Sequence, residues 1–203
     1  NQNPILTMAE TSLMIGLLFL AFVSLKAGAF SLRTNDVASA NFVRASCRVT
    51  LYPAMCVQSL IPFAPTIKQS PKQLARTALT VSLTKAQSTT AFMNKLAKMR
   101  TLKPRERSAL ADCRQVIGDT VDKLNGSIRE LNLVGFRPLS RWHVSNMQTW
   151  VSAALTNENT CVDGFSDRSL NGQVKISIKA RILDVGQATS NALALINHYH
   201  TRL

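Results

Sequence analysis

The sequence predicts an all-α protein, an up-down four-helix bundle with an N-terminal helical hairpin extension and two disulfides. Three observations lead there. Glycine is scarce, 8 in 203 residues, and no long stretch alternates apolar with polar at the period of two that a half-buried strand requires. Helical spacing is common instead. It is clearest where Val174, Ile178, Ile182, Val185, Ala188, Ala192, Leu195 and Tyr199 step by three or four residues onto one face. Proline and glycine then punctuate the chain at intervals that leave long helices joined by short links, so neighbours run antiparallel.

The elements follow in order. Leu13–Leu25 is an uncharged apolar run, shorter than the about 20 residues that span a bilayer. With Ala27-Gly28-Ala29 behind it, the run reads as a secretory signal over residues 1–29, cleaved so that the mature chain begins near Phe30. Residues 30–203 are one domain's worth of chain. A helical hairpin is expected over about 36–62 and the bundle over about 70–203. Ser70-Pro71 opens the first long helix, with Ser as N-cap and Pro at the first helical position; it should run to about Met99. Thr101-Leu102-Lys103-Pro104 breaks the chain and starts the second, which ends near Leu133. Asn125-Gly126 weakens that helix by about 1 kcal/mol relative to Ala. Gly135-Phe136-Arg137-Pro138 is the next break. The third helix covers Pro138–Val162, with Gly164 placed as a C-cap glycine.

Export puts Cys47, Cys56, Cys113 and Cys161 in an oxidising compartment, where an even count usually means disulfides. Four cysteines allow three connectivities. In one continuous helix Cys47 and Cys56 would lie about 13 Å apart, beyond disulfide reach. They can pair only if the chain reverses, and Tyr52-Pro53 supplies a break between them. A hairpin closed by Cys47–Cys56 is self-consistent, and Cys113–Cys161 would then tie the second long helix to the third. A zinc site is the competing reading, but no two cysteines stand two to four residues apart and no histidine is near them.

The remaining residues offer no catalysis. His143, His198 and His200 form no chelate at helical spacing, and no nucleophile elbow, P-loop or dinucleotide fingerprint is present. No catalytic residue, metal or cofactor is expected. The net charge is +13, and between Val37 and Arg105 there are eleven Lys/Arg and no Asp or Glu. Such a surface attracts polyanions; for a secreted, disulfide-bonded chain an acidic polysaccharide fits better than nucleic acid. Against that background two polar stripes stand out. Gln115, Asp119 and Asp122 follow Cys113 at i, i+4, i+7, and Thr156, Thr160 and Asp163 flank Cys161 at the same spacing. With Cys113 joined to Cys161 they would lie on adjacent helices as one docking patch. Asn125-Gly126-Ser127 is an N-glycosylation acceptor by sequence.

The segment Ala45-Ser46-Cys47-Arg48-Val49-Thr50-Leu51-Tyr52-Pro53-Ala54-Met55-Cys56 resembles the opening of plant invertase and pectin methylesterase inhibitors. Thr149-Trp150-Val151-Ser152-Ala153-Ala154-Leu155-Thr156, running on through Cys161 to Phe165, is similar to the third-helix motif of the pectin methylesterase branch. The resemblance covers about Asn35 to Leu203 and all four cysteines. It implies the hairpin and bundle with both disulfides. It also implies a non-enzymatic protein of the plant cell wall that binds pectin methylesterase one to one and occludes its cleft. The positions carried over are Gln115, Asp119, Asp122, Thr160 and Asp163, with Gln115 standing where an acidic residue is frequent. The same domain occurs as the pro-region of esterases; a chain ending at Leu203 is expected to be a stand-alone inhibitor. Acidic pectin is a further expected partner, nucleic acid is not, and no membrane contact is expected after signal cleavage. The rival readings are an invertase inhibitor and a basic wall protein that binds pectin without an enzyme target.

Overall fold

The computed structural model describes residues 35–133, 140–166, 170 and 172–200. The signal run, its cleavage site, the Gly135–Pro138 break and the side chain of His200 lie outside them. The described chain is helical throughout. Helix α1 covers 35–47 and α2 covers Pro53–Leu60. A 3-10 turn at Ile61–Phe63 and the short α3, Ala64–Ile67, extend the hairpin arm past the expected end near residue 62. The bundle consists of α4 Pro71–Leu96, α5 Pro104–Leu133, α6 Arg141–Gly164 and α7 Gln173–His200. Among the described residues no helix is long and apolar enough to cross a membrane.

The hairpin turns where the sequence breaks. Pro53 occupies the first helical position of α2, and Cys47 is bonded to Cys56 with Cα atoms 5.7 Å apart. The turn is also clamped to the bundle. The Asn191 amide on α7 donates to the Tyr52 carbonyl at 3.0 Å and accepts from the Tyr52 N–H at 3.1 Å. The Tyr52 N–H thereby gains a partner, and its carbonyl, which already accepts from the Cys56 N–H at 2.9 Å, takes a second donor.

The caps follow local chemistry. Ser70 accepts from the Gln73 N–H at 3.3 Å and Pro71 stands at N1, as the sequence predicts. At the head of α5, Glu106 reaches back to accept from the Lys103 N–H at 2.9 Å, one half of a capping box. Two boundaries differ from expectation. Helix α6 starts at Arg141, because Ser140 caps it by accepting from the His143 N–H at 3.4 Å. Gly164 is not a left-handed C-cap. It is the last helical residue, Phe165 ends the helix with φ −99°, and Phe165 is held by burial in the core. Asn125-Gly126 does not break α5 either. A Cβ at Gly126 would meet the Trp150 ring at 3.2 Å, so the missing side chain lets α6 approach.

The core divides into two apolar clusters. One joins the hairpin residues Val43, Leu60 and Ile67 to Leu79, Leu124, Met147 and Val185. The other, at the α4–α5 end, contains Met93, Leu110, Ile117, Phe165, Ile178 and Ile182 around Cys113 and Cys161. Buried Thr89, Thr120 and Glu158 fall between the clusters on α4, α5 and α6. The α7 stripe behaves as its spacing predicts: Ile178, Ile182, Val185, Ala188, Ala192 and Leu195 are buried, with Val174 and Tyr199 half-buried at its ends.

Candidate functional site

Four contacts along the α5/α6 seam fix the register of this antiparallel pair. Cys113 is bonded to Cys161 with Cα atoms 4.6 Å apart. Farther along, the Thr120 hydroxyl lies 3.4 Å from the Ala154 carbonyl, then Gly126 receives the Trp150 ring. Last comes Glu130, whose Oε1 is 2.5 Å from His143 Nδ1 and accepts from the Asn146 amide at 3.3 Å. The pair cannot slip without breaking one of these.

On that frame the six singled-out residues are all exposed: Gln115, Asp119, Asp122, Thr156, Thr160 and Asp163. Because α5 and α6 run in opposite directions from the disulfide, Gln115 and Asp119 lie level with Thr160 and Thr156. Asp122 lies past the Thr120–Ala154 contact and Asp163 past the disulfide on the other side. Helical phase separates them further. Asp119, Gly126 and Glu130 are spaced i, i+7, i+11, so Asp119 borders the seam. On α6, Asn146 and Thr160 are fourteen residues apart on one stripe, which brings Thr160 to the same seam. Gln115, Asp122, Thr156 and Asp163 are turned farther outward.

The threonine hydroxyls already donate within the helix, Thr156 to the Ser152 carbonyl at 3.2 Å and Thr160 to the Thr156 carbonyl at 2.9 Å. Their oxygens remain as acceptors on a surface that also carries the Asp119 carboxylate. Asn125 lies mid-helix and half-buried, and Ser127 of the same acceptor motif is fully buried, donating to the Lys123 carbonyl at 3.0 Å.

Between Thr156 and Thr160 the sequence reading passes over Glu158, which points the other way. It is 2 % exposed. Thr189 on α7 donates to its Oε1 at 2.8 Å, and Ser82 on α4 shares a 2.6 Å hydrogen bond with the same Thr189 hydroxyl. Glu158 Oε2 has no hydrogen-bond partner among the described residues. Burial pushes the Glu158 carboxyl up to about 8, and the Thr189 hydrogen bond only partly offsets it. The carboxyl is therefore neutral in mildly acidic solution. The one available signal was a Glu in phase with Val151, Ala154 and Cys161 on the inward face of α6.

Among the described residues no group of His, Cys, Asp or Glu could hold a metal ion. The comparisons with known proteins agree with one another. The pattern of the family described as Plant invertase/pectin methylesterase inhibitor matches residues 41–195. The chain is 51% identical over 162 residues to Pectinesterase inhibitor 11 of Arabidopsis thaliana, covering 78% of this chain and 80% of that one. It is 40% identical over 185 residues to the 21 kDa protein of Daucus carota, covering 90% and 93%. Its fold matches the crystal structure of a mutant form of a pectin methylesterase inhibitor from Arabidopsis with a TM-score of 0.61 at 21% identity, over 74% of this chain and 92% of the other.

Proposed function

The chain belongs to the plant invertase/pectin methylesterase inhibitor family, and from that premise we propose that it is a secreted inhibitor that binds pectin methylesterase one to one and covers its pectin cleft. The protein is not an enzyme. Its effect is occlusion: where the bundle sits, the polysaccharide cannot, and demethylesterification in the wall is limited. The observation that carries the esterase over invertase is the 51% identity to a protein named Pectinesterase inhibitor. In this reading the α5/α6 face makes the contact. Asp119 and Thr160 lie at its centre, and Gln115, Asp122, Thr156 and Asp163 on its flanks. The basic segment Val37–Arg105 contributes a separate attraction for acidic pectin, screened beyond about 8 Å at physiological salt.

The test is a titration of a plant pectin methylesterase, with an invertase assayed in parallel. Inhibition of the esterase alone is expected; inhibition of the invertase alone overturns the reading. Asp119→Ala and Thr160→Ala should leave the melting temperature nearly unchanged, since exposed substitutions usually stay within about 0.5 kcal/mol. Each should weaken inhibition, and truncating a hydrogen-bonded interfacial charge such as Asp119 typically costs about 2–5 kcal/mol of affinity. Lys95→Ala, away from this face, should inhibit as the unaltered protein does. If Lys95→Ala abolished inhibition while the other two did not, the contact would lie elsewhere on the bundle.

A further inference from the structure

A compact run of basic residues stands at one end of the bundle. Lys95, Lys98, Arg100, Lys103, Arg105 and Arg107 fall within thirteen residues, and all six are exposed. They occupy the last turn of α4, the link after it and the start of α5. Helix α7 begins at the same end, as the Arg181 guanidinium 4.1 Å over the Phe92 ring shows, and adds Lys175 and Lys179.

The link is held in shape. Ala97 donates to the Met93 carbonyl at 2.9 Å and Met99 to the Leu96 carbonyl at 2.9 Å. Leu102 is buried as a plug. The acid within the stretch, Glu106, is buried and accepts from the Lys103 N–H. Asp112, two turns into α5, and Asp163, in the last turn of α6, are the other described carboxylates toward this end. The other cations of the basic segment lie elsewhere: Arg44 and Arg48 on and just after α1, Lys68, Lys72 and Arg76 around the start of α4, and Lys85 paired with Asp184.

We infer that this crown is a binding site for a polyuronate chain, whose regularly spaced carboxylates it meets with ammonium and guanidinium groups. The inference rests on the reading of the basic segment as a contact for acidic pectin and says which part of it makes the contact. Guanidinium forks match carboxylates in two-point geometry, and ammonium groups add point charges. A nucleic-acid site would be expected to offer aromatic faces for stacking, and residues 95–107 contain no aromatic residue. A membrane site would need an apolar wedge; the exposed large apolar residue of the stretch is Met99.

The experiment measures retention of the oxidised protein on polygalacturonate, with fully methyl-esterified pectin and phosphatidylserine vesicles as parallel probes. Lys98→Gln, Arg100→Gln and Lys103→Gln are combined. A control combines Arg44→Gln, Lys68→Gln and Arg76→Gln and has the same net charge. The crown variant should bind polygalacturonate about tenfold more weakly at low salt, with a flatter salt dependence, and the control less than about threefold more weakly. In the unaltered protein, bound polymer should shield Lys98 and Lys103 from acetylation more than Lys68. Equal loss in the two variants, or equal shielding, overturns the crown while leaving the pectin contact standing. Unaltered protein that is not retained at low salt overturns the pectin contact itself. Esterified pectin or vesicles held as tightly as polygalacturonate overturn the polyuronate assignment.

Discussion

The α5/α6 pair and the α4/α7 pair stand on opposite sides of the bundle and are fastened by different chemistry. The α5/α6 seam has a covalent bond, a ring seated on Gly126 and a carboxylate–imidazole contact. The α4/α7 seam has the Ser82–Thr189 hydrogen bond, the Lys85–Asp184 pair at 2.6 Å and the Arg181–Phe92 contact. The first seam fixes a register and leaves Asp119 and Thr160 exposed beside it. The second runs through hydroxyls to the Glu158 carboxyl, supplied by α6, so its integrity follows a protonation state.

The largest expected effect tests that dependence. The Glu158 carboxyl is raised from 4.5 to about 8 by burial, so the folded state holds a proton that the unfolded state releases above pH 4.5. Its contribution is intact below pH 4.5, falls by about 1.4 kcal/mol per pH unit above it, and levels off above pH 8. The whole window amounts to about 5 kcal/mol. Glu158→Gln keeps the shape and removes the charge. Thermal melts from pH 4 to pH 8.5 should show the unaltered protein losing stability with rising pH more steeply than the variant, and the variant should be the more stable of the two at pH 8. Parallel pH profiles would show that Glu158 is not the titrating group.

The next effect belongs to the other seam. Removing Cys113–Cys161 by alanine at both positions releases a loop whose ends are 48 residues apart, worth about 4 kcal/mol in the loop-entropy model. Removing Cys47–Cys56, with ends nine residues apart, should cost about 2.7 kcal/mol on the same basis. Urea unfolding of the two double variants orders them. A hairpin variant less stable than the bundle variant would place the fold's main fastening in the arm, and the contrast between the seams would fail.

Legibility in the sequence follows the same division. The α5/α6 seam announces itself through cysteines, because a disulfide leaves a residue type and a spacing to reason from. The hairpin was readable for the same reason, with Tyr52-Pro53 marking the reversal. The α7 face was readable because Ile178, Ile182 and Val185 repeat at helical period. The α4/α7 seam was not. Ser82 and Thr189 look like any surface hydroxyls, and only tertiary contact makes them an internal pair. Glu158 was hidden between two outward threonines in a polar run. Gly126 read as a weak point in a helix, since its use, room for the Trp150 ring, depends on a residue of another helix. Gly164 misled because a glycine near a helix end usually marks a left-handed cap, whereas burial of Phe165 stops this helix without one. The outward stripes were legible as exposed positions, but which of them border the seam required the register.

The smallest effect is expected where the α4/α7 seam carries its most conspicuous contact. Lys85 Nζ lies 2.7 and 2.6 Å from the two Asp184 carboxylate oxygens. The side chains remain 27% and 50% exposed. Water and counterions compete for both groups, and holding a long lysine in one rotamer costs entropy, so exposed pairs of this kind contribute between about 0.2 and 1 kcal/mol. Lys85→Ala and Asp184→Asn should each shift stability by about 0.5 kcal/mol or less, and a double-mutant cycle should give a coupling of similar size that fades in high salt. Ser82→Ala should cost more, about 0.5–1.5 kcal/mol, because it removes a buried hydrogen bond while the Thr189 hydroxyl keeps the Glu158 carboxyl and the Val185 carbonyl. Lys85→Ala should also inhibit the esterase undiminished, since the contact proposed for it lies on α5 and α6. A coupling well above 1 kcal/mol, insensitive to salt, would mean that the seam is held by its surface charges and not by the buried hydroxyls.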